Sequence, residues 1–150
     1  MRSKQLLKLL IIGLTLLDIS NCKRALAQED FPEKKVKEML KEFYTAYITT
    51  FDKYLPLNTQ TFKIDSIKKK YCTSELLKYI IDQGRLDYDP YLNSQMIDLK
   101  KLETLTIRKD QKETDIFYVS YVYGNKKTTI KLRLVKSGGS FKIDHIFLDE

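Results

Sequence analysis

The 150-residue chain has no Trp, one His, two Cys, five Gly and three Pro. Each scarcity closes off a class of protein. Two Cys cannot support a disulfide scaffold or a Cys-rich zinc domain, and one His cannot build a multi-histidine metal centre. So few Gly and Pro exclude a collagen-like or linker-like chain. No Gly-rich phosphate loop, H-E-x-x-H, G-x-S-x-G or repeated unit occurs, so nothing in the pattern calls for a cofactor or a metal. What is present suits one globular domain: 43% apolar and 31% charged residues, with 27 Lys+Arg against 20 Asp+Glu for a formal charge of +7.

The N-terminal residues read as an export signal. Arg2, Lys4 and Lys8 precede an apolar run from Leu9 to Leu17, broken only by Gly13 and Thr15. That run is shorter than the roughly 20 residues a membrane-spanning helix needs, and it matches a secretory signal. Ile19-Ser20-Asn21-Cys22 resembles a lipoprotein signal, with Cys22 as the lipid-bearing first residue of the mature chain. The rival exit is Ala25-Leu26-Ala27, which lies far from the apolar run with Lys23 and Arg24 between, so the lipoprotein exit is preferred. The expected organisation is a signal peptide over 1–21 (alternatively 1–27), a short linker over 22–30 and a single domain over 31–150. The expected location is the periplasmic side of a bacterial cell envelope, lipid-anchored, or alternatively soluble in the periplasm or secreted.

Export also changes the charge and the cysteines. Cleavage before Cys22 removes three basic residues and one acid, leaving +5, and cleavage after Ala27 leaves +3. Part of the basicity is therefore targeting information, and nucleic acid is not an expected partner. Cys72 is left alone in either case. With the only His far along the chain, it reads as a buried core thiol.

Helices come first in the mature chain. Asp30, Pro32 and Glu33 mark a helix start, and Val36, Leu40, Phe43, Tyr47, Phe51 and Tyr54 recur at spacings of three and four. This predicts a long amphipathic helix with one aromatic buried stripe, ended by Pro56. Ile64, Ile67 and Tyr71 predict a short second helical segment. Thr73 is placed to cap a third, carrying Leu76, Leu77, Ile80 and Ile81 as far as Gly84. The run Lys68-Lys69-Lys70 reads as a solvated helix face.

From about Leu102 the period becomes two. Strands are expected near 102–109, 115–123, 127–136 and 140–148, with tight turns at Gly124-Asn125 and Gly138-Gly139. Those turns pair Tyr123 with Lys126, Phe117 with Leu132, Leu134 with Ile143, Leu132 with His145 and Ile130 with Phe147. The apolar face then holds Phe117, Val119, Tyr121, Ile130, Leu132, Leu134, Phe141, Ile143 and Phe147. The other face carries Ser120, Thr129, Lys131, Arg133, Lys142 and Asp144, with Arg133 opposite Asp144; it is solvated or a partner surface. For the first hairpin, a two-residue loop would put Leu105 and Ile107 on the opposite face and a three-residue loop on the core face.

The long first helix, the helical pair, the loop from Tyr88 to Gln95 and a meander ending Phe141-Lys142-Ile143-Asp144 resemble the nuclear transport factor 2-like cone fold. More narrowly, they resemble the exported bacterial domain-of-unknown-function family 3828, over about residues 31–148. The resemblance implies an α+β fold, with a long N-terminal helix and second helical pair packed on a curved antiparallel β-meander. It implies a pocket at the open end of the cone, and no reaction, since that family has none established.

His145 on the apolar face would be kept neutral by desolvation, as a general base needs, and a pocket of Tyr121, His145, Phe117 and Leu132 is the candidate site. A packed core histidine is the preferred reading. Enzymes of the cone fold such as ketosteroid isomerase place a carboxylic acid and a Tyr deep in the pocket, whereas the inner strand face here offers no Asp or Glu. No catalytic residue is therefore assigned. Asp87, Asp89 and Asn93, with Gln95 and Asp98, echo a calcium loop. Leu92 stands where Gly makes that turn and Asp98 where a Glu closes it, so Asx capping around Pro90 is preferred. The expected function is a non-catalytic binding or interaction module of the envelope, its partner an envelope protein, a toxin or a small ligand. The alternatives are an immunity protein neutralising an exported antibacterial toxin, and a small-molecule pocket enzyme using His145 and Tyr121.

Overall fold

The computed structural model describes residues 32–148; the expected export signal, Cys22 and the expected Asp30 cap lie outside the described residues. Helix α1 runs Glu33–Asp52, α2 Leu57–Tyr71, α3 Ser74–Asp82 and α4 Lys100–Glu103. Strands follow as β1 Thr106–Lys109, β2 Ile116–Tyr123, β3 Lys126–Ser137 and β4 Ser140–Phe147.

Helix α1 buries the expected stripe and widens it: Val36, Leu40, Phe43, Tyr44, Tyr47 and Ile48 are all at most 1% exposed. Burying each such side chain contributes on the order of 1.5–3 kcal/mol. Tyr54 departs from the expected stripe and is fully exposed. Lys53 already turns extended, at φ −79° and ψ 129°, so the helical period stops before Tyr54. The second segment, expected to be short, is a 15-residue helix that buries Ile64 and Tyr71. Thr73 caps α3 as expected, its Oγ1 accepting from the Leu76 amide at 3.2 Å. Leu76 faces the core, while Ile81 turns out to solvent.

The strands form a four-stranded antiparallel meander in the order β1-β2-β3-β4. Tyr123 pairs with Lys126, Tyr121 with Thr128, Val119 with Ile130 and Phe117 with Leu132, as the Gly124-Asn125 turn dictates. At the first hairpin Ile107 pairs with Val119 and packs with Leu105 on the core, but the connection is longer than either loop considered. Asp110 Oδ1 accepts the amides of Lys112 at 2.7 Å and Glu113 at 2.9 Å within it. The first strand begins only at Thr106, because residues 100–103 form α4 instead.

The last strand changes the expected register. Leu134 pairs with Ile143 as predicted, but Arg133 then pairs with His145 and Leu132 with Ile146. Asp144 is the extra residue of a β-bulge, and every later side chain changes face. Ile146 takes the core position, so His145 and Phe147 belong to the outer face. The cause lies at the α2–α3 junction, which docks on this edge. The Thr73 amide donates to the Ile143 carbonyl at 2.9 Å, and its hydroxyl donates to Asp144 Oδ1 at 3.0 Å. Asp144 is thereby drawn from Arg133, which pairs instead with Asp115 at 3.6 Å. The same docking covers part of the open sheet edge.

Candidate functional site

The residues expected to form a pocket separate into three environments. Phe117 and Leu132 are fully buried, so the centre of the fold is filled. His145 lies on the outer face, its ring 5.0 Å from that of Tyr79 and 4.8 Å from that of Phe147. Its expected place opposite Leu132 is corrected by the bulge. Tyr121 alone reaches a cleft, of about 440 Å³, at the end of the sheet where β2 turns into β3. That volume lies within the roughly 300–1,000 Å³ of small-ligand sites.

One wall of the cleft is β2–β3, presenting Tyr121, Tyr123, Lys126 and Thr128; the other is the loop carrying Tyr88 and residues 93–96. Asp89 shapes that loop from inside. Its Oδ1 accepts the amides of Tyr91 at 2.9 Å and Leu92 at 3.0 Å, which is the Asx turn expected around Pro90. Its Oδ2 accepts from the Tyr47 hydroxyl at 2.6 Å. The Asp89 amide donates to the Ser94 carbonyl at 2.9 Å, closing the loop, and Asn93 at φ +44° makes the reversal. Tyr91 and Leu92 plunge into the core, where the Tyr121 hydroxyl donates to the Leu92 carbonyl. The inner strand face does lack acids, as read from the sequence; the carboxylate in the interior comes from the loop.

The second fastening is Lys101 of α4, which is 0% exposed. Its Nζ donates to Ser94 Oγ at 2.7 Å and to the Met96 carbonyl, and lies 5.0 and 5.4 Å from the ring centroids of Tyr121 and Tyr123. No carboxylate forms an ion pair with it among the described residues. The Tyr123 hydroxyl donates to Asp98 Oδ2 at 3.1 Å, tying the strand wall to the start of α4. Nothing in the sequence singled out Lys101, because Asp98-Leu99-Lys100-Lys101 reads as a surface stretch.

Burial sets the electrostatics of this corner. Desolvation raises the Asp89 carboxyl, against the opposing pull of the Tyr47 hydrogen bond, the two amides and Lys68. Desolvation lowers the Lys101 ammonium, while Asp89 and Asp98 oppose it. Tyr44, Tyr47 and Tyr91 are all raised by burial, and the Cys72 thiol is pushed up to about 12 by the same cause. Cys72 is thus the inert core thiol expected from the sequence. The Tyr44 hydroxyl is buried with no hydrogen-bond partner among the described residues. Lys68, read as part of a solvated face, reaches over the rings of Tyr91 at 5.3 Å and Tyr47 at 5.9 Å.

The three residues of the candidate calcium loop also divide. Asp87 is exposed, Asp89 has both oxygens in hydrogen bonds, and Asn93 lines the cleft. The arrangement can hold a ligand by ring faces, hydroxyls and carboxamides. Among the described residues it aims no carboxylate or imidazole base into the cleft.

No family model and no curated protein matches the chain. Among solved structures it is similar to a protein of unknown function from Bacteroides thetaiotaomicron VPI-5482, at 25% sequence identity and a TM-score of 0.66. The match covers 77% of this chain and 91% of that one. The likeness supports the α+β arrangement of helices packed on an antiparallel four-stranded sheet.

Proposed function

We propose that this protein is a non-catalytic ligand-binding module of the bacterial cell envelope, tethered by a lipid on Cys22, with the Tyr121–Tyr123 cleft as its binding site. The nuclear transport factor 2-like cone is the fold family proposed with it. One observation carries the binding reading: the loop wall of the cleft is fixed before any ligand arrives. Asp89 holds it from below, Lys101 clamps Ser94 and Met96, and Tyr121 holds Leu92. A preorganised wall loses little entropy on binding, which is how a small cleft gains affinity. The envelope reading rests on the basic, apolar and Cys22 segments of the N-terminus.

Two measurements test it. Wild-type protein should melt at a higher temperature when a small-molecule fraction of the native envelope is added, and Tyr123→Leu should not. A fraction that leaves the wild type unmoved, or moves both alike, sinks the cleft as the site. Full-length protein should take up labelled palmitate in a bacterial host and lose the label on Cys22→Ser; label retained by that variant sinks the anchor.

A further inference from the structure

We propose that the cleft takes a neutral saccharide, one or two rings in size, an inference that rests on the binding reading above. The argument starts from charge. Lys101 behind the wall, Lys68 and Lys100 are set against Asp89 under the loop and Asp98 on Tyr123, so that Lys126 at the rim is the one charged side chain among the lining residues. Moreover, the Lys101 ammonium is committed to Ser94 Oγ and the Met96 carbonyl, leaving Lys126 as the cation that lines the cleft. Backbone amides offer little to an anion. Those of Tyr91 and Leu92 bond Asp89 Oδ1, that of Ser94 bonds the Asp89 carbonyl, and that of Met96 bonds Ser94 Oγ. An anionic ligand would meet a single lysine among the lining residues.

An apolar ligand fits no better, since Tyr88, Gln95 and Thr128 bring polar groups to the walls. These groups do suit a sugar. A pyranose ring has an apolar C–H face that packs on an aromatic ring, and a rim of hydroxyls that each donate and accept. Tyr88 and Tyr123 supply ring surface, and Tyr121, buried with its hydroxyl on the Leu92 carbonyl, closes the cleft behind them. The exposed Gln95 carboxamide supplies a donor and an acceptor in one plane, matched to a pair of neighbouring hydroxyls. Tyr121 and Tyr123, two residues apart on one face of β2, hold fixed spacing because Lys101 lies against both rings.

The test is saturation-transfer NMR on the mature chain with maltose and N,N′-diacetylchitobiose as neutral probes and glucose 6-phosphate as the anionic one. Transfer to the ring C–H protons of a neutral disaccharide is expected, with binding about tenfold weaker in Gln95→Ala and Tyr123→Leu. His145→Ala, on the outer face, should bind as the wild type does. Because Gln95 is exposed, its variant keeps the fold, which circular dichroism verifies. Transfer to glucose 6-phosphate alone, or to none of the probes, overturns the saccharide. If no probe transfers while the envelope fraction still stabilises wild type and not Tyr123→Leu, only the saccharide fails; if that shift is missing as well, both readings fail.

Discussion

The molecule sets cations against aromatic rings on both sides of its sheet, and the two sides differ chiefly in water. Inside, Lys101 lies between Tyr121 and Tyr123 and is 0% exposed. Outside, Lys131 and Arg133 lie 4.6 and 5.4 Å from the Phe147 ring centroid, with side chains 34% and 44% exposed. The outer cations have carboxylate partners, Glu113 at 3.7 Å and Asp115 at 3.6 Å, yet water screens them. The inner cation has neutral acceptors only, and those acceptors are the wall of the cleft. Desolvation therefore turns one contact into a fastening, while its outer counterpart remains a surface feature.

The sharpest way to break this comparison is Asp89→Ala, which leaves the Tyr47 hydroxyl and the Tyr91 and Leu92 amides without their acceptor. Orphaning buried donors costs on the order of 1–3 kcal/mol each before relaxation, so a loss of about 4 kcal/mol is expected by denaturant unfolding. A loss no greater than that of an outer-face variant would erase the distinction. Asp89→Asn separates charge from hydrogen bonding through its pH profile. The folded-state pKa is raised, so the folded protein keeps a proton that the unfolded chain releases above about pH 3.9. Its stabilisation is full below that pH and is lost as pH rises through the folded value. Wild type should show that decline and Asp89→Asn should not.

Lys101→Met comes next, at about 2 kcal/mol. The thioether fills most of the space, but Ser94 Oγ and the Met96 carbonyl lose their donor. Here the sign reverses. A lowered folded-state pKa means the folded protein releases its proton first, so wild-type stability should rise with pH from the folded value towards about 10.4. Lys101→Met should lack that rise, and amide exchange over residues 94–96 should quicken. Unchanged exchange would show that the wall stands without its clamp.

Much of the scaffold was legible because it depends on local rules. The period of α1, the Thr73 cap and the Gly124-Asn125 and Gly138-Gly139 turns each follow from neighbouring residues, and the β2–β3 register follows from its turn. Tyr54 was missed for a local reason, the turn at Lys53, but the errors that move site residues occur where distant segments meet. Thr73 engaging Asp144 across 71 residues gives a physical cause for the bulge that moved His145, and no strand period encodes that contact. The burial of Lys101 depends in the same way on Tyr121 and Tyr123, contributed by a separate strand. Of the cleft, the sequence showed Tyr121, Asp89 and Asn93 but not the lysine that joins their walls.

The smallest effect is expected on the outer face, and its smallness is the sharpest check on the comparison. Arg133→Ala removes a half-exposed guanidinium from the Phe147 ring and from Asp115. Exposed pairs of this kind contribute roughly 0.2–1 kcal/mol, so a loss below about 1 kcal/mol is expected. A double-mutant cycle with Asp115→Ala isolates the ion pair. Its coupling should shrink further in 1 M salt, where the screening length falls to about 3 Å. The Lys101 loss should change little with salt, because neutral groups face that ammonium at its wall and water does not reach it. If the outer coupling resisted salt and the Lys101 effect did not, burial would not be what separates the two faces, and Lys101 could not be the fastening of the cleft.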